Sequence, residues 1–207
     1  MKKTYILGNG GFAQEVFEQF FMGDRQQFTF GGFIVIKTEK AYLINDNGIE
    51  PFTYPKDSAF LLGTGNKIWR RIFINHFTRY YAKNINNFPN AVSSHAYLSK
   101  MASLGVGNIF SPFSLINANA SIGNFNNFNI YSTISHDCVM GDNNVLSPYA
   151  GIMGYAKLGN ENFLGTNSII TPKISLVDEN TISAGEVVFD DMSTRQFFQS
   201  GIIYNKP

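Results

Sequence analysis

The chain has 207 residues, 44% of them apolar, and a formal net charge of +1. That length suits one large domain or two small ones with a sizeable core. The near-zero charge, with no basic run, removes the electrostatic case for nucleic acid or a membrane surface as partner. A single cysteine, Cys138, excludes an internal disulfide framework. No run of about 18 apolar residues is present to span a membrane. The apolar stretch after the two N-terminal lysines stops at Leu7, too short for a secretion signal. A soluble, cytoplasmic protein is expected.

Residues 1–88 alternate strand and helix. Tyr5-Ile6-Leu7 reads as a short buried strand ending in Gly8-Asn9-Gly10-Gly11, and Phe12 to Met22 carries Phe12, Val16, Phe17, Phe20 and Phe21 at helical spacing. Phe28–Ile36 is rich in strand formers. Ala59–Leu62 is a second buried strand, stopped by Gly63-Thr64-Gly65. Lys67 to about Lys83 reads as a helix with Ile68, Ile72, Phe73, Phe77 and Tyr80 on one face. The alternation predicts a small Rossmann-like α/β unit with a parallel sheet. Asn84–Asn90 is the expected linker to a second domain over residues 89–207.

From Leu98 the pattern changes. Every sixth residue from Leu98 through Leu104, Phe110, Ile116, Ile122, Phe128 and onward to Ile182 and Val188 is large and apolar, sixteen in succession. At this composition a chosen frame would give that by chance roughly twice in a million. Two positions before each stands a small residue or an asparagine, Ala96, Ala102, Asn108 and Ser114 among them, until the pattern weakens at Ile174 and Glu186. A slower period overlies it. Asn108, Asn126, Asn144, Asn162 and Asn180 are eighteen apart, as are Gly105, Gly123, Gly141 and Gly159. Three hexads per repeat predict a parallel β-helix, a triangular prism of about five coils. Its large residues fill the interior, its small residues turn the corners, and equivalent residues stack at about 4.8 Å. The register is unbroken from 98 to 188, so no long loop leaves the prism, and the tail to Pro207 is expected on its side or end.

The repeat resembles that of the left-handed β-helix hexapeptide acyltransferases, and the left hand is implied by that resemblance alone, since parallel crossovers are otherwise right-handed. The two-part layout is similar to the sialic acid O-acetyltransferase and UDP-4-amino-sugar N-acetyltransferase family of the bacillosamine-pathway type. The resemblance covers nearly the whole chain. Three segments carry it: Tyr5-Ile6-Leu7-Gly8-Asn9-Gly10-Gly11, then Leu62-Gly63-Thr64-Gly65-Asn66-Lys67-Ile68-Trp69-Arg70-Arg71, then Ser132 to Asp142 with His136-Asp137-Cys138 inside it. It implies an acetyl-CoA-dependent N-acetyltransferase acting on a nucleotide-linked amino sugar of the 4-amino-4,6-dideoxy type. It further implies a homotrimer whose CoA lies in the groove between adjacent prisms.

His136 lies two past the inward Ile134, at a corner and pointing outward, and a neutral imidazole is the usual general base near neutral pH. The resemblance makes it the catalytic base. Ser135 stands where the family has a polarising glutamate, which leaves Asp137, Asn129 or a group from another subunit to orient the ring. Gly154 lies eighteen beyond His136, one coil on, and matches the family glycine whose N–H meets the thioester oxygen. Asn129 matches an active-site asparagine and is equally a simple corner residue. Thr166 and Ala184 match positions lining the CoA groove, on later coils near the same edge.

Gly8-Asn9-Gly10-Gly11-Phe12-Ala13 fits the G-x-G-x-x-G/A turn between strand and helix that offers backbone N–H groups to phosphate. The dehydrogenase form of that motif needs an acid at the end of the second strand, where this chain has Ile36-Lys37, so NAD is discounted. The resemblance assigns the turn, with Gly8, Gly10, Gly11 and Phe12, to the nucleotide sugar. Phe12 replaces a family histidine, and Ile36-Lys37 replace the acids of uridine-binding members. Gly63, Gly65 and Asn66 either complete that pocket or merely form a turn and a helix start. No metal is expected, because only His95 and His136 of the three histidines fall in the prism, and Cys138 reads as core. Two alternatives remain: O-acetylation of a sugar or sialic acid, which asks for more help from a carboxylate beside His136, and a non-catalytic sugar-nucleotide-binding β-helix.

Overall fold

The computed structural model describes residues 2–23, 27–38, 40–45, 48–53, 55, 57–80 and 84–205. The chain divides into two compact units, Met1–Ala91 and Val92–Pro207.

In the first unit, strand β1 (Lys3–Leu7) runs into the glycine turn and helix α1 (Gly11–Phe17), which continues as a π-helical turn over Glu18–Met22. Strand β2 (Thr29–Lys37) follows, then β3 (Lys40–Asn45), β4 (Gly48–Pro51), β5 (Ala59–Leu61) and helix α2 (Lys67–Tyr80). The sheet order is β4-β3-β2-β1-β5, with β1 parallel to both β2 and β5. The sheet is mixed rather than parallel, because β3 and β4 pair antiparallel onto β2. Only two residues separate Lys37 from Lys40, which permits a hairpin and forbids a crossover. Helix α2 also turns a different face inward than its aliphatic residues suggest. Arg70, Phe73 and Phe77 are buried, while Ile68, Ile72 and Tyr80 are exposed. The predicted end of this helix near Lys83 lies outside the described residues. Aromatic packing holds the layers: Phe60 on β5 meets Phe77 on α2 at 4.9 Å, and Tyr5 on β1 meets Phe52 edge-on at 5.0 Å.

The second unit is a parallel β-helix of about six turns. Two-residue strands recur at a spacing of eighteen on three faces; Leu115–Ile116, for example, pairs with Tyr97–Leu98 before it and Thr133–Ile134 after it. The turn beyond the expected five comes from the ends: Ala91–Val92 already forms a strand, and Gln196–Gln199 adds in parallel to Thr181–Ile182. The sixth-residue positions form one continuous core from Phe110 to Val188, in which Phe110 and Phe128 stack at 4.8 Å and 3°. The tail closes the far end. Met192 and Phe198 join the core, and an antiparallel hairpin with Ile202–Asn205 completes the sheet. The break at Glu186 has a local cause, since its carboxylate accepts from the N–H groups of Ser200 and Gly201 at 2.6 and 3.3 Å and holds the hairpin turn.

The three corners of each coil differ. The first carries the buried asparagines. Asn144 Oδ1 accepts from Asn162 N–H at 2.8 Å and its amide donates to Gly159 O at 2.9 Å, and the same two bonds repeat from Asn108 to Asn162. Each asparagine therefore satisfies a buried donor and a buried acceptor that the chain's direction change leaves open. The second corner includes residues 129–132, and the third includes 135–138.

Candidate active site

The third corner stacks Asn117–Ala120, Ser135–Cys138, Met153–Ala156 and Thr171–Ile174. In each, the third residue takes a positive φ, 59° at Asn119, 58° at Asp137 and 64° at Tyr155. This conformation turns the chain by 120° and lifts the side chains outward into a column. Asp137 occupies the middle of that column. Its Oδ2 lies 2.8 Å from Nδ1 of His136, and its Oδ1 accepts from the amide of Asn119 at 3.0 Å. The His136 hydrogen bond, then that of Asn119, holds the Asp137 carboxyl below the usual carboxylate range, with a smaller contribution from Tyr155. An ionised carboxylate only accepts, so Nδ1 of His136 carries the proton that it donates, and in the neutral ring Nε2 is the lone-pair nitrogen. The imidazole side chain is 55% exposed and stands edge-on to the Tyr155 ring at 5.2 Å and 87°.

Gly154 lies against this ring. A Cβ placed there would come within 2.9 Å of Cε1 and 3.0 Å of Nε2 of His136. Glycine is thus required by the imidazole itself. The peptide is pinned by Lys173 N–H, which donates to Gly154 O at 3.0 Å, whereas the Gly154 N–H makes no hydrogen bond among the described residues. Cys138, beneath the dyad, is buried. Desolvation raises its pKa, and its thiol donates to Met153 O at 3.1 Å, so it is packing and not a nucleophile.

The other residues expected at this edge lie elsewhere. Asn129, Thr166 and Ala184 belong to the second corner: Asn129 opens the turn whose Oδ1 accepts from Ile130 N–H at 2.7 Å, and Thr166 O accepts from Gly185 N–H at 2.8 Å. Thirty residues separate His136 from Thr166, one coil and two-thirds, so stacking cannot align them within one chain. That second corner instead carries an exposed ring ladder. His95, Phe113, Tyr131 and Tyr149 succeed one another at 5.4, 4.9 and 4.9 Å. Asn119 and Tyr155, which flank Asp137, were not among the expected site residues, although the eighteen-residue period leads directly to both.

In the first unit the carboxyl ends of β1, β2 and β5 open onto a cavity of about 570 Å³. Gly8, Gly10, Gly11, Phe12, Gly63 and Gly65 line it, with Lys37, Thr64, Trp69 and Phe73. Its glycines are of two kinds. Gly8 (φ +118°) and Gly63 are required by the fold: a Cβ on Gly8 would meet Gly63 O at 2.8 Å, and one on Gly63 would strike Ile6 and Ala13. At Gly10, Gly11 and Gly65 a Cβ would meet nothing within 4 Å and φ is not positive, so neither packing nor backbone demands glycine there. What the missing side chains do is leave bare peptide facing the cavity. Asn66 does not line it; its Oδ1 accepts from Ile68 and Trp69 N–H at 3.0 and 3.2 Å and caps α2. One turn into that helix, Arg70 is fully buried and donates to Thr64 O at 2.8 Å, with its pKa lowered by burial to about 9, so it is still a cation at neutral pH. Among the described residues no group of three or more His, Cys, Asp or Glu could hold a metal ion, and no helix is long and apolar enough to cross a membrane.

No protein-family model matches the chain, and no characterised protein matches it by sequence. Comparison with solved structures places the fold: a small α/β unit followed by a left-handed hexapeptide-repeat β-helix. Among the similar structures is PerB from Caulobacter crescentus in complex with CoA and GDP-perosamine, 19% identical over 99% of this chain and 98% of that one, TM-score 0.78. Another is the acetyltransferase domain of PglB from Neisseria gonorrhoeae with acetyl coenzyme A, 20% identical over 95% and 96%, TM-score 0.73. WeeI from Acinetobacter baumannii is 19% identical over 95% and 96%, TM-score 0.73. The Caulobacter perosamine N-acetyltransferase is also similar in forms with one histidine replaced by asparagine or alanine.

Proposed function

We propose that this protein is an acetyl-CoA-dependent N-acetyltransferase acting on the amino group of a nucleotide-linked amino sugar, of the 4-amino-4,6-dideoxy type. The observation that carries the reading is the His136–Asp137 dyad with Gly154 cleared beneath the ring. Similar folds solved with CoA, acetyl coenzyme A and GDP-perosamine support it.

The residues divide the work as follows. Asp137, fixed by Asn119, holds His136 in the tautomer whose Nε2 accepts a proton. The sugar amine attacks the thioester carbonyl carbon of acetyl-CoA and loses its proton to Nε2. The carbonyl oxygen, now an oxyanion, takes a hydrogen bond from the free Gly154 N–H. The tetrahedral intermediate collapses, the C–S bond breaks, and the thiolate of CoA recovers the proton from His136. The products are the amide and free CoA, and the histidine returns neutral. No step uses a metal.

In this reading the second corner of one prism approaches the third corner of a neighbour, which would bring Asn129, Thr166 and Ala184 to His136 from another subunit. A homotrimer is the assembly that satisfies this, with the exposed rings Phe113, Tyr131 and Tyr149 as further surface for the contact. The first unit binds the nucleotide, its diphosphate lying against the bare peptides of Gly10, Gly11 and Gly65. A cytoplasmic location, where acetyl-CoA is at hand, accompanies the assignment.

The test is thiol release from acetyl-CoA with a panel of nucleotide-linked amino sugars; a fully active His136→Ala variant would defeat the mechanism. O-acetylation stays as a second reading for one reason: removing a hydroxyl proton asks for a carboxylate behind the histidine, and Asp137 is there. Acetylation of sugars that offer only hydroxyls would decide for it.

A further inference from the structure

Among the described residues that line the cavity of the first unit, Lys37 carries the only titratable side chain and none is a carboxylate. Lys37 ends β2, the position from which parallel nucleotide-binding sheets reach the ribose of a bound nucleoside. Trp69 lines both this cavity and the adjoining groove along α2, and is 45% exposed although it is the largest apolar side chain present. Its neighbour on α2, Phe73, lies 6.2 Å away between ring centres. A large ring presented to water beside an apolar wall is a platform for another flat ring.

Given the nucleotide-binding role proposed for this cavity, on which the inference rests, we propose that Trp69 and Lys37 select the base: Trp69 stacks on it, and Lys37 donates to a keto oxygen. An ammonium group has three donors and no acceptor. It therefore complements O6 of guanine or O4 of uracil, and it confronts the N6 amine of adenine or the N4 amine of cytosine donor to donor. The substrate class is accordingly a keto-base nucleotide sugar. This differs from recognition through carboxylates, which accept from ring N–H groups.

The experiment uses the full chain and two matched pairs, GDP against ADP and UDP against CDP, each pair differing at that position between keto and amine. Calorimetry should give at least about tenfold tighter binding for the keto member of each pair. Lys37 is exposed, so Lys37→Glu should fold normally while shrinking or reversing both preferences, because a carboxylate accepts from an amine. Trp69 is the only tryptophan of the chain, so its emission should change on saturation with GDP or UDP. Equal binding within the pairs overturns the proposal. So does uniform weakening of all four ligands by Lys37→Glu, which would make Lys37 a phosphate contact. Calorimetric binding without any change in emission removes Trp69 from the site. If none of the four nucleotides binds, the nucleotide role of the cavity falls and the base selection with it. In that case acetyl transfer to free amino sugars would still report whether the His136 dyad works.

Discussion

The two units place their candidate functional residues by opposite means. In the prism every residue inherits its surroundings from the residues eighteen before and after it, so a chemical group is found by where it breaks a column. The column through His136 reads Lys100, Ala118, His136, Gly154, Pro172 and Asp190. The α/β unit has no such copying. There each glycine must be judged on its own contacts, and two of the cavity's glycines serve the fold while three others leave peptide open. Repetition makes a site easy to locate, and unique packing makes it necessary to ask what each residue would otherwise touch.

The contrast breaks most strongly at His136. His136→Ala should lower turnover by about 10²–10⁴-fold in the thiol-release assay, the range of a positioned base. It should lower the melting temperature only slightly, since the side chain is half in solvent and its bond to Asp137 is a surface one. The buried column behaves the other way. Asn144→Ala strands Asn162 N–H and Gly159 O in the interior and should cost about 2–4 kcal/mol by denaturant titration. Gly154→Ala should lower turnover roughly 10²-fold by displacing the imidazole and crowding the oxyanion donor, with a normal melt. In the α/β unit the two kinds of glycine separate. Gly8→Ala should destabilise by about 1–3 kcal/mol, whereas Gly10→Ala should leave stability alone and weaken nucleotide binding.

The smallest effect concerns Asp137. Its folded carboxyl sits below the unfolded value, so its contribution to stability is present above the ordinary carboxylate range and is lost as the pH falls through the lowered value. The melting difference between wild type and Asp137→Asn should be present at neutral pH and shrink as the pH falls below the ordinary carboxylate range.

Much of the prism is legible in the sequence because stacking enforces like residues in like places: the sixteen inward residues, the asparagine column and the outward direction of His136 all follow from counting. Asn119 and Tyr155 were equally countable, eighteen to either side of Asp137. They escape notice because asparagine and tyrosine at a corner are ordinary surface until a carboxylate stands between them. The separation of Asn129, Thr166 and Ala184 from His136 is also a matter of counting, since their offsets of seven, thirty and forty-eight residues are not multiples of eighteen. In the α/β unit pattern reading does less well. Helix α2 buries Arg70 and exposes Ile68 and Ile72: the cation has a carbonyl to serve at Thr64, while Ile72 borders the groove beside Trp69. The hairpin of β3 and β4 is too short for periodicity to register.

The asparagine column makes the prism something like a ruler with fixed graduations. Because each rung locks the coil above to the coil below, a group on the third corner can occupy only heights that differ by one strand spacing, about 4.8 Å. Evolution can shift a dyad up or down this scale by exchanging side chains alone: a histidine at 118 and an aspartate at 119, over a glycine at 136, would reproduce the same local geometry one mark away. A bound chain that runs parallel to the prism would then be cut off, in effect, at a different length. Under the proposed function, substrate reach in such an architecture is quantised, and the position of His136 sets the mark.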